Sequence, residues 1–306
     1  MLNLREHQQE IVDKVWQNFE EGHTKQLVYA PTGAGKTIVA LSLLQEMRNR
    51  GLRGAMLVDR IVLVDQTSMR LNEYNIPHGV LQSKHWRYKP SEPIQLCSVQ
   101  TLARRKMPFF TDLMIVDEAH QKSEYVTNYI KNNPNAKVVG LTATPFTKGL
   151  NELYTHVVGS STTEKLIQDK WLCDLKVYIA KEIDMTGAEK NSFGEWKDSE
   201  ASARGIKIVG DVVSEWEKKT QELFGRPRKT IVFCAGVDHG KELVRQFNEA
   251  GYNFVSISYK EDDEFKRNTI EEFSKPDTEI HGLVATDILT RGFDVPDVVF
   301  GISARP

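Results

Sequence analysis

The stretch that most constrains the fold of this chain is YAPTGAGKT, residues 29–37. It follows a short apolar run, QLVYA, and leads into KTIVALSLLQEMRNR at 36–50, which has helical spacing and is followed by Gly51. The sequence therefore predicts a buried strand, a glycine-rich loop and a helix in succession.

Apolar runs continue through both halves of the chain and alternate with helical patterns. The strand candidates are QLVYA (26–30), 54–58, 94–99, 113–117, 136–142, 229–235, 252–258, 281–286 and 297–303. Nearly continuous apolar strands separated by helices predict an α/β fold with parallel sheets covered on both faces.

A polar stretch rich in Gly and Ser at 184–205 looks like a linker or an exposed excursion between the two alternating blocks. With 306 residues, the chain is long enough for two domains. The predicted organisation is a first α/β domain at 1–158, a connector at 159–205 and a second domain at 206–306.

The composition is that of an ordinary soluble protein, with 40% hydrophobic residues and a net charge of −2. Contacts with nucleic acid would therefore depend on local patches. No apolar run approaches the roughly 20 residues that span a bilayer, and no export signal is seen, so we expect a cytoplasmic protein with no membrane partner. The separated cysteines, Cys97, Cys173 and Cys234, predict reduced, buried thiols.

The glycine-rich loop fits the phosphate-binding pattern, with Ala30, Gly35, Lys36 and Thr37 at its fixed positions. Its backbone N–H groups and the following helix N-terminus favour phosphate, Lys36 can reach the β- and γ-phosphates, and Thr37 can bind Mg²⁺. The predicted ATP-binding residues of the loop are Thr32, Gly33, Ala34, Gly35, Lys36 and Thr37. An ordinary glycine-rich turn is the alternative.

A pair of acids, Asp117 and Glu118, follows an apolar strand in LMIVDEAH at 113–120. Asp117 would hold Mg²⁺ through water, and Glu118 would orient and deprotonate the attacking water. The alternative is a helix start with acids near its positive end. An isolated His120 would more often be structural, but within DEAH we count it as catalytic with Lys36 and the acidic pair.

Four motifs in this order resemble those of superfamily 2 helicases and translocases: APTGAGKT, DEAH, LTATP at 141–145 and VATDILTRGFDVP at 284–296. The resemblance implies two RecA-like P-loop domains, the second incomplete, that use ATP and Mg²⁺ to move along nucleic acid. LREHQ at 4–8 and the Gln121 that follows DEAH resemble XPB-related translocases and UvsW- or RecG-like enzymes. This implies duplex, forked or branched DNA as the partner, with RNA less favoured.

The resemblance also implies roles for residues outside the two central motifs. Arg5, Gln8, Gly292 and Asp294 would contact the nucleotide, and Thr142, Thr144 and Arg291 would couple hydrolysis to movement. The implied nucleic-acid contacts are Arg60, Gln66, Ser98, Thr101, Arg104 and Thr286. Contacts of this kind position a strand without reading its sequence, so binding should be salt-sensitive.

Two cationic stretches have open interpretations. KHWRYK at 84–89 interleaves cations with Trp86 and Tyr88, which could stack on bases or wedge into a junction, or could form a solvated loop. ARRKMP at 103–108 is either a phosphate contact or solvated surface.

A further family motif, Q-x-x-G-R-x-x-R, does not occur before the sequence ends at FGISARP. Its arginines can contribute about 10³–10⁵ in rate in related systems. We therefore expect residues 1–306 to bind Mg–ATP but to hydrolyse it slowly without that segment. The alternative functions are a nucleic-acid- or protein-binding module that uses ATP as a switch or has lost turnover, and an RNA helicase.

Overall fold

The computed structural model describes residues 2–59, 61–82, 85–105, 110–159, 161–178, 183–191, 194–286, 295 and 297–305, without the side chains of 61, 62 and 263. The chain divides into two compact units, Met1–Leu175 and Lys176–Pro306. We call these the N-terminal unit and the C-terminal unit. The expected connector at 159–205 straddles the division, so its bounds remain a prediction.

The N-terminal unit is built on one parallel sheet, as the apolar runs predicted. Its strands are β1 (Lys25–Tyr29), β2 (Gly54–Val58), β3 (Gly79–Leu81), β4 (Ile94–Ser98), β5 (Leu113–Val116), β6 (Lys137–Thr142) and β7 (His156–Gly159). They lie in the order β3-β4-β2-β5-β6-β1-β7, with every described pairing parallel. The short strands β3 and β7 were not predicted.

Helices cover both faces of this sheet. They are α1 (Glu6–Glu20), α2 (Lys36–Asn49), α3 (Ile61–Glu73), α4 (Val99–Arg105), α5 (Glu124–Asn132) and α6 (Thr163–Gln168), with a 3₁₀ turn at Ala119–Gln121. Leu27 and Val28, adjacent in β1, belong to two different buried clusters, so the sheet is packed on both sides. Gly51 ends α2 as expected, with φ +69° and a bond from the Leu52 N–H to the Met47 carbonyl (2.9 Å).

The parallel arrangement brings the carboxyl ends of the strands to one edge of the sheet. Tyr29 pairs with Thr142, and Val58 pairs with Ser98. The glycine-rich loop after β1, the acids after β5 and the TAT stretch at the end of β6 therefore emerge together, although they are far apart in sequence.

The C-terminal unit has a smaller parallel sheet. Its elements are α7 (Asp198–Gly205), a 3₁₀ turn at Ile206–Ile208, α8 (Val209–Phe224), β8 (Thr230–Cys234), α9 (Val237–Glu249), β9 (Phe254–Ile257), α10 (Asp263–Ser274), β10 (Gly282–Ala285) and β11 (Phe300–Ala304). The strand order is β11-β8-β10-β9, and all described pairings are parallel. The predicted α/β class is confirmed in both units.

The structure corrects two local predictions. Residues 198–205 of the polar stretch form α7 rather than a linker, because small residues allow α7 to pack closely on α9: a Cβ at Gly205 would collide with the His239 ring. Cys97 and Cys234 are buried, but Cys173 is exposed, beyond the last helix of the N-terminal unit. Within the described residues, no helix is both long enough and apolar enough to cross a bilayer.

The core of the C-terminal unit is centred on aromatic rings, and this generates a stability prediction. The fully buried Phe247 ring stacks on Phe254 (3.8 Å between centroids) and meets Trp216 edge-on (5.3 Å). Phe247→Ala should lower the unfolding free energy by about 3–5 kcal/mol because it leaves a cavity between these rings. Urea unfolding followed by tryptophan fluorescence would measure the loss.

Phe265→Ala provides the control, since Phe265 is 42% exposed on α10. It should change the unfolding free energy by only about 0.5 kcal/mol. Equal losses in the two variants would contradict the assignment of Phe247 to the core.

Candidate active site

The loop between β1 and α2 has the backbone shape that a phosphate cradle needs. Gly33 and Gly35 have φ of +82° and +87°, a region that residues with a Cβ rarely adopt. A Cβ at Gly35 would also collide with the side-chain amide of Gln8. Thr32 and Gly33 are exposed and Ala34 is buried. The loop therefore presents backbone and the N-terminus of α2, both suited to an anion.

Lys36 lies at the first position of α2. Its Nζ donates to the carbonyl oxygens of Ala30 (3.0 Å) and Pro31 (3.3 Å). Burial lowers the pKa of Lys36, and the nearby carboxylates of Glu118 and Asp117 oppose that shift. The ammonium group and the acidic pair thus interact at the same edge of the sheet.

In the acidic pair, Glu118 has an unusual backbone conformation and Asp117 has a raised pKa. The Asp117 N–H donates to the Leu57 carbonyl (3.0 Å), and the Glu118 N–H donates to Oδ1 of Asp117 (3.1 Å). Glu118 has φ +48°, a strained value for a non-glycine residue that is common at functional sites. Burial and then the Glu118 carboxylate raise the pKa of Asp117 to about 6, although the Glu118 N–H and Lys36 act in the opposite direction.

His120 joins the acidic pair to the TAT stretch. Its Nδ1 lies 3.3 Å from Oε2 of Glu118 and 3.2 Å from Oγ1 of Thr142. Oγ1 of the buried Thr142 also accepts a bond from the Thr144 N–H (3.0 Å). The Thr142 carbonyl accepts a bond from the Ala30 N–H (3.1 Å). The phosphate loop, DEAH and TAT therefore form one continuous polar network.

The LREHQ segment binds directly to the phosphate loop. The carbonyl of Ala34 is 3.0 Å from Nε2 of both His7 and Gln8, and Oε1 of Gln8 accepts the Arg5 N–H (3.0 Å). The Arg5 guanidinium lies 4.4 Å from the ring centroid of Trp171. Sequence reasoning missed His7, which stands inside the motif, and Trp171, which no local pattern marks.

The residues present fit ATP with Mg²⁺. The Thr37 hydroxyl and the Asp117 carboxylate are oxygen donors of the kind magnesium prefers. No group of three or more His, Cys, Asp or Glu side chains that could hold a metal occurs in the part of the chain that the structure describes. Magnesium bound together with nucleotide phosphates does not need such a group.

The expected nucleic-acid contacts divide by burial. Gln66 on α3 and Arg104 on α4 are exposed, and Thr101 is half-buried. Ser98 is 1% exposed, and its hydroxyl accepts the Thr101 N–H (3.4 Å), so it stabilises the start of α4. Thr286 in the C-terminal unit is 2% exposed, and its hydroxyl lies 3.0 Å from Sγ of Cys234. Burial removes the Ser98 and Thr286 hydroxyls as direct contacts in this arrangement.

Arg60, Arg291, Gly292 and Asp294 lie outside the described residues.

Both units match known protein families. Residues 1–147 match the family of the type III restriction enzyme res subunit, and residues 216–306 match the helicase conserved C-terminal domain. A 51.5 kDa protein of a Lactococcus phage (isolate 7-9) is 26% identical over 285 residues, which is 92% of this chain and 59% of the relative. The DNA 3'-5' translocase XPB2 of Sulfurisphaera tokodaii is 25% identical over 344 residues, covering 98% of this chain and 74% of that protein.

Solved structures support the fold. The ATP-dependent type ISP restriction-modification enzyme LlaBIII, solved bound to DNA, aligns with a TM-score of 0.70 at 18% identity over 99% of this chain and 26% of its own. This likeness confirms two RecA-like α/β units. The chain spans about half the length of the first curated relatives it matches (59%, 51% and 47%).

The raised pKa of Asp117 generates a prediction for metal-free, nucleotide-free protein. The folded value of about 6 lies above the value of about 3.9 for an unfolded aspartate, so the folded state binds more protons between them. Stability therefore falls as the pH rises through that window. Asp117→Asn lacks this titration. Its advantage in unfolding free energy should grow from about pH 4 to pH 6 and then stay constant, as measured by urea unfolding with EDTA.

Asp174→Asn is the matched control, because it removes an exposed carboxylate from the same unit. The difference in unfolding free energy between Asp174→Asn and the unmodified protein should stay constant over that window. A pH-independent difference between Asp117→Asn and the unmodified protein would contradict the raised pKa.

Proposed function

We propose that this chain is a superfamily 2 helicase, an ATP-driven motor that moves along duplex or branched DNA. Its matches to the res-subunit and helicase C-terminal families and its similarity to XPB2 support this proposal. The observation that carries the proposal is the electrostatic interaction of Lys36 with Asp117 and Glu118 at one edge of the N-terminal sheet. Hydrolysis of a nucleoside triphosphate requires a cation for the phosphates, a carboxylate for the metal and a group that positions water.

Each residue of this cluster has a separate proposed task. The Lys36 ammonium exchanges its bonds to the Ala30 and Pro31 carbonyls for bonds to the β- and γ-phosphates. Thr37, and Asp117 through water, would hold a magnesium ion that neutralises phosphate charge. Glu118 orients the attacking water and accepts its proton. The contact with Nδ1 of His120 (3.3 Å) would help to orient the carboxylate.

The adenine base of ATP would be held by Arg5 and Gln8. Because Gln8 donates to the Ala34 carbonyl, base recognition is tied mechanically to the phosphate loop. Gly292 and Asp294 are proposed for the same nucleotide on the strength of their motif alone.

His120, Thr142 and Thr144 provide the proposed coupling, and Arg291 is assigned to it from its motif. Nδ1 of His120 lies within 3.3 Å of both the Glu118 carboxylate and the Thr142 hydroxyl, and Thr142 accepts a bond from the backbone N–H of the exposed Thr144. A change at Glu118 on hydrolysis would therefore alter the bonds of His120 and Thr142 and so reach Thr144 at the surface.

The DNA strand would be held through its backbone. The exposed Gln66 and Arg104, with Thr101, follow β2 and β4 at the edge where the nucleotide site lies. Arg60 is proposed for the same task from the motif. DNA is preferred to RNA because the relatives described as XPB2 and LlaBIII are, respectively, a DNA translocase and an enzyme bound to DNA.

The roles of Glu118 and Lys36 can be separated experimentally. Glu118→Gln should lower DNA-stimulated ATP turnover by about 10²-fold or more, because the amide cannot accept a proton, while ATP binding persists. Lys36→Ala should lose both ATP turnover and ATP binding, since it removes the ammonium group that would contact the phosphates. A coupled ATPase assay and titration with a fluorescent ATP analogue would measure the two effects. Glu20→Gln, an exposed carboxylate on α1, is the control and should behave as the unmodified protein. Wild-type turnover by Glu118→Gln would contradict its role.

The nucleic acid on which the proposed motor acts can be identified with a panel of DNA and RNA substrates. ATP turnover should be stimulated most by duplex, forked or four-way DNA, independently of sequence, and stimulation should weaken as salt is raised. Stimulation chiefly by RNA would instead indicate an RNA helicase. ATP binding without binding to any nucleic acid would indicate a switch module without motor activity.

A further inference from the structure

An exposed indole is held in place between β3 and β4. Trp86 is 79% exposed. Its ring stacks against His85, with 5.7 Å between centroids and an interplanar angle of 24°, and the Arg87 guanidinium lies 4.7 Å from its centroid. An exposure of 79% means that these neighbours leave much of the ring open. An exposed aromatic face beside a cation offers a surface on which a base can stack.

The two neighbours of Trp86 are anchored to α3. The His85 side chain is only 5% exposed, and its Nε2 lies 2.9 Å from Oδ1 of Asp65. The Arg87 guanidinium donates to Oδ1 of Asn72 (2.6 Å), and the Arg87 carbonyl accepts the Val80 N–H (3.0 Å). Trp86 is therefore presented by a rigid scaffold, and binding to it would require little ordering.

The topology places Trp86 close to the proposed path of the DNA. Strands β3 and β4 run parallel, with Leu81 opposite Cys97, and β4 pairs with β2 in the same sense. The chain therefore leaves β3 at the same edge of the sheet at which it leaves β2 and β4. Asp65, which holds His85, is the sequence neighbour of Gln66.

Cations that suit a polyanion lie on the segment that carries Trp86 and on α4, whose Arg105 contacts that segment at Tyr88. Lys89 and Arg104 are exposed, and the Arg105 guanidinium lies 5.4 Å from the ring centroid of Tyr88, which is itself 46% exposed. The Asp65 carboxylate is bonded to His85. Aromatic rings interleaved with cations are characteristic of sites for single strands, because every base has a face that can stack and every nucleotide has a phosphate.

We propose that Trp86 stacks on an unpaired base of single-stranded DNA and so holds the strand beside its backbone contacts. This inference rests on the proposed DNA motor function, to which it adds a contact with the bases. Stacking is independent of base identity, so the contact preserves sequence-independent binding. A fully paired duplex does not offer an unstacked base, so Trp86 distinguishes single-stranded or opened DNA from closed duplex.

The test compares the 306-residue chain with its Trp86→Ala and Trp86→Phe variants. Binding is measured by anisotropy on a single-stranded oligonucleotide and on a duplex of the same length, over a range of salt concentrations. Trp86→Ala should weaken single-strand binding about fivefold to a hundredfold. Duplex binding should not change, and Trp86→Phe should restore most of the affinity because it keeps a ring.

The salt dependence separates stacking from charge. Trp86→Ala removes no phosphate contact, so the slope of log affinity against log salt should stay unchanged. Arg104→Ala, which removes an exposed cation, should reduce that slope by about one. In addition, quenching of 2-aminopurine placed in the single strand should be lost in Trp86→Ala and kept in Trp86→Phe.

The control is another indole beside a cation. Trp196 in the C-terminal unit has the Lys190 Nζ 4.3 Å from its ring centroid. Trp196→Ala should change neither DNA affinity nor quenching. Thermal melts of all the variants establish that each is folded.

The possible results separate the two proposals. Wild-type binding to DNA with an unchanged Trp86→Ala variant overturns the stacking proposal and leaves the motor proposal standing. Equal weakening on single strand and duplex, or a change in salt slope, also overturns stacking, because Trp86 would then act through the backbone contacts or the scaffold. Failure of the unmodified chain to bind any DNA overturns both proposals.

Discussion

The structure of the site depends on the balance between burial and opposite charges at one edge of the N-terminal sheet. Burial disfavours the charged forms of Lys36 and Asp117. The carboxylates of Glu118 and Asp117 partly offset this penalty for Lys36, whereas for Asp117 the Glu118 carboxylate adds to the penalty and the Glu118 N–H and Lys36 oppose it. Lys36 meets its remaining hydrogen-bonding needs with the carbonyls of Ala30 and Pro31. A polyphosphate with magnesium would add to this balance, since it brings anionic oxygens to the lysine and a cation to the carboxylates.

The parallel sheet makes that balance possible, because it carries separate segments to one edge. The same edge divides into two regions along the strand order. The central strands β5, β6 and β1 support the acidic pair, the TAT stretch and the phosphate loop. The outer strands β2, β4 and β3 lead to Gln66, Thr101 and the anchored Trp86. A single backbone bond between Asp117 and Leu57 (3.0 Å) ties the last residue before Glu118 to β2, where the two regions meet.

This division suggests how the proposed hydrolysis and the proposed movement would be related in the N-terminal unit. The nucleotide region is rich in buried polar bonds, such as those between His120, Thr142 and the phosphate loop, so a small change there alters several bonds together. The region after β2, β4 and β3, which is proposed to hold DNA, instead presents exposed cations and the Trp86 ring, whose neighbours His85 and Arg87 are bonded to α3. A motor needs both properties: a site that changes with hydrolysis and a surface that keeps its shape while it holds a strand.

Local patterns in the sequence were sufficient to predict much of this molecule. The apolar runs indicated the described strands other than β3 and β7, the phosphate-binding pattern indicated the glycine-rich loop with Gly33 and Gly35, and the motif pattern singled out Lys36, Asp117 and Glu118. These features depend on residues close together in the chain, where hydrophobic periodicity and backbone stereochemistry act directly. Tertiary structure decided the rest: the strand order, the burial of Ser98 and Thr286, the bond of His7 to Ala34, the stack of Trp171 on Arg5 and the anchoring of His85 and Arg87 to α3. Each of these depends on which distant segments share a space, and packing against those segments, rather than any local preference, fixes that outcome.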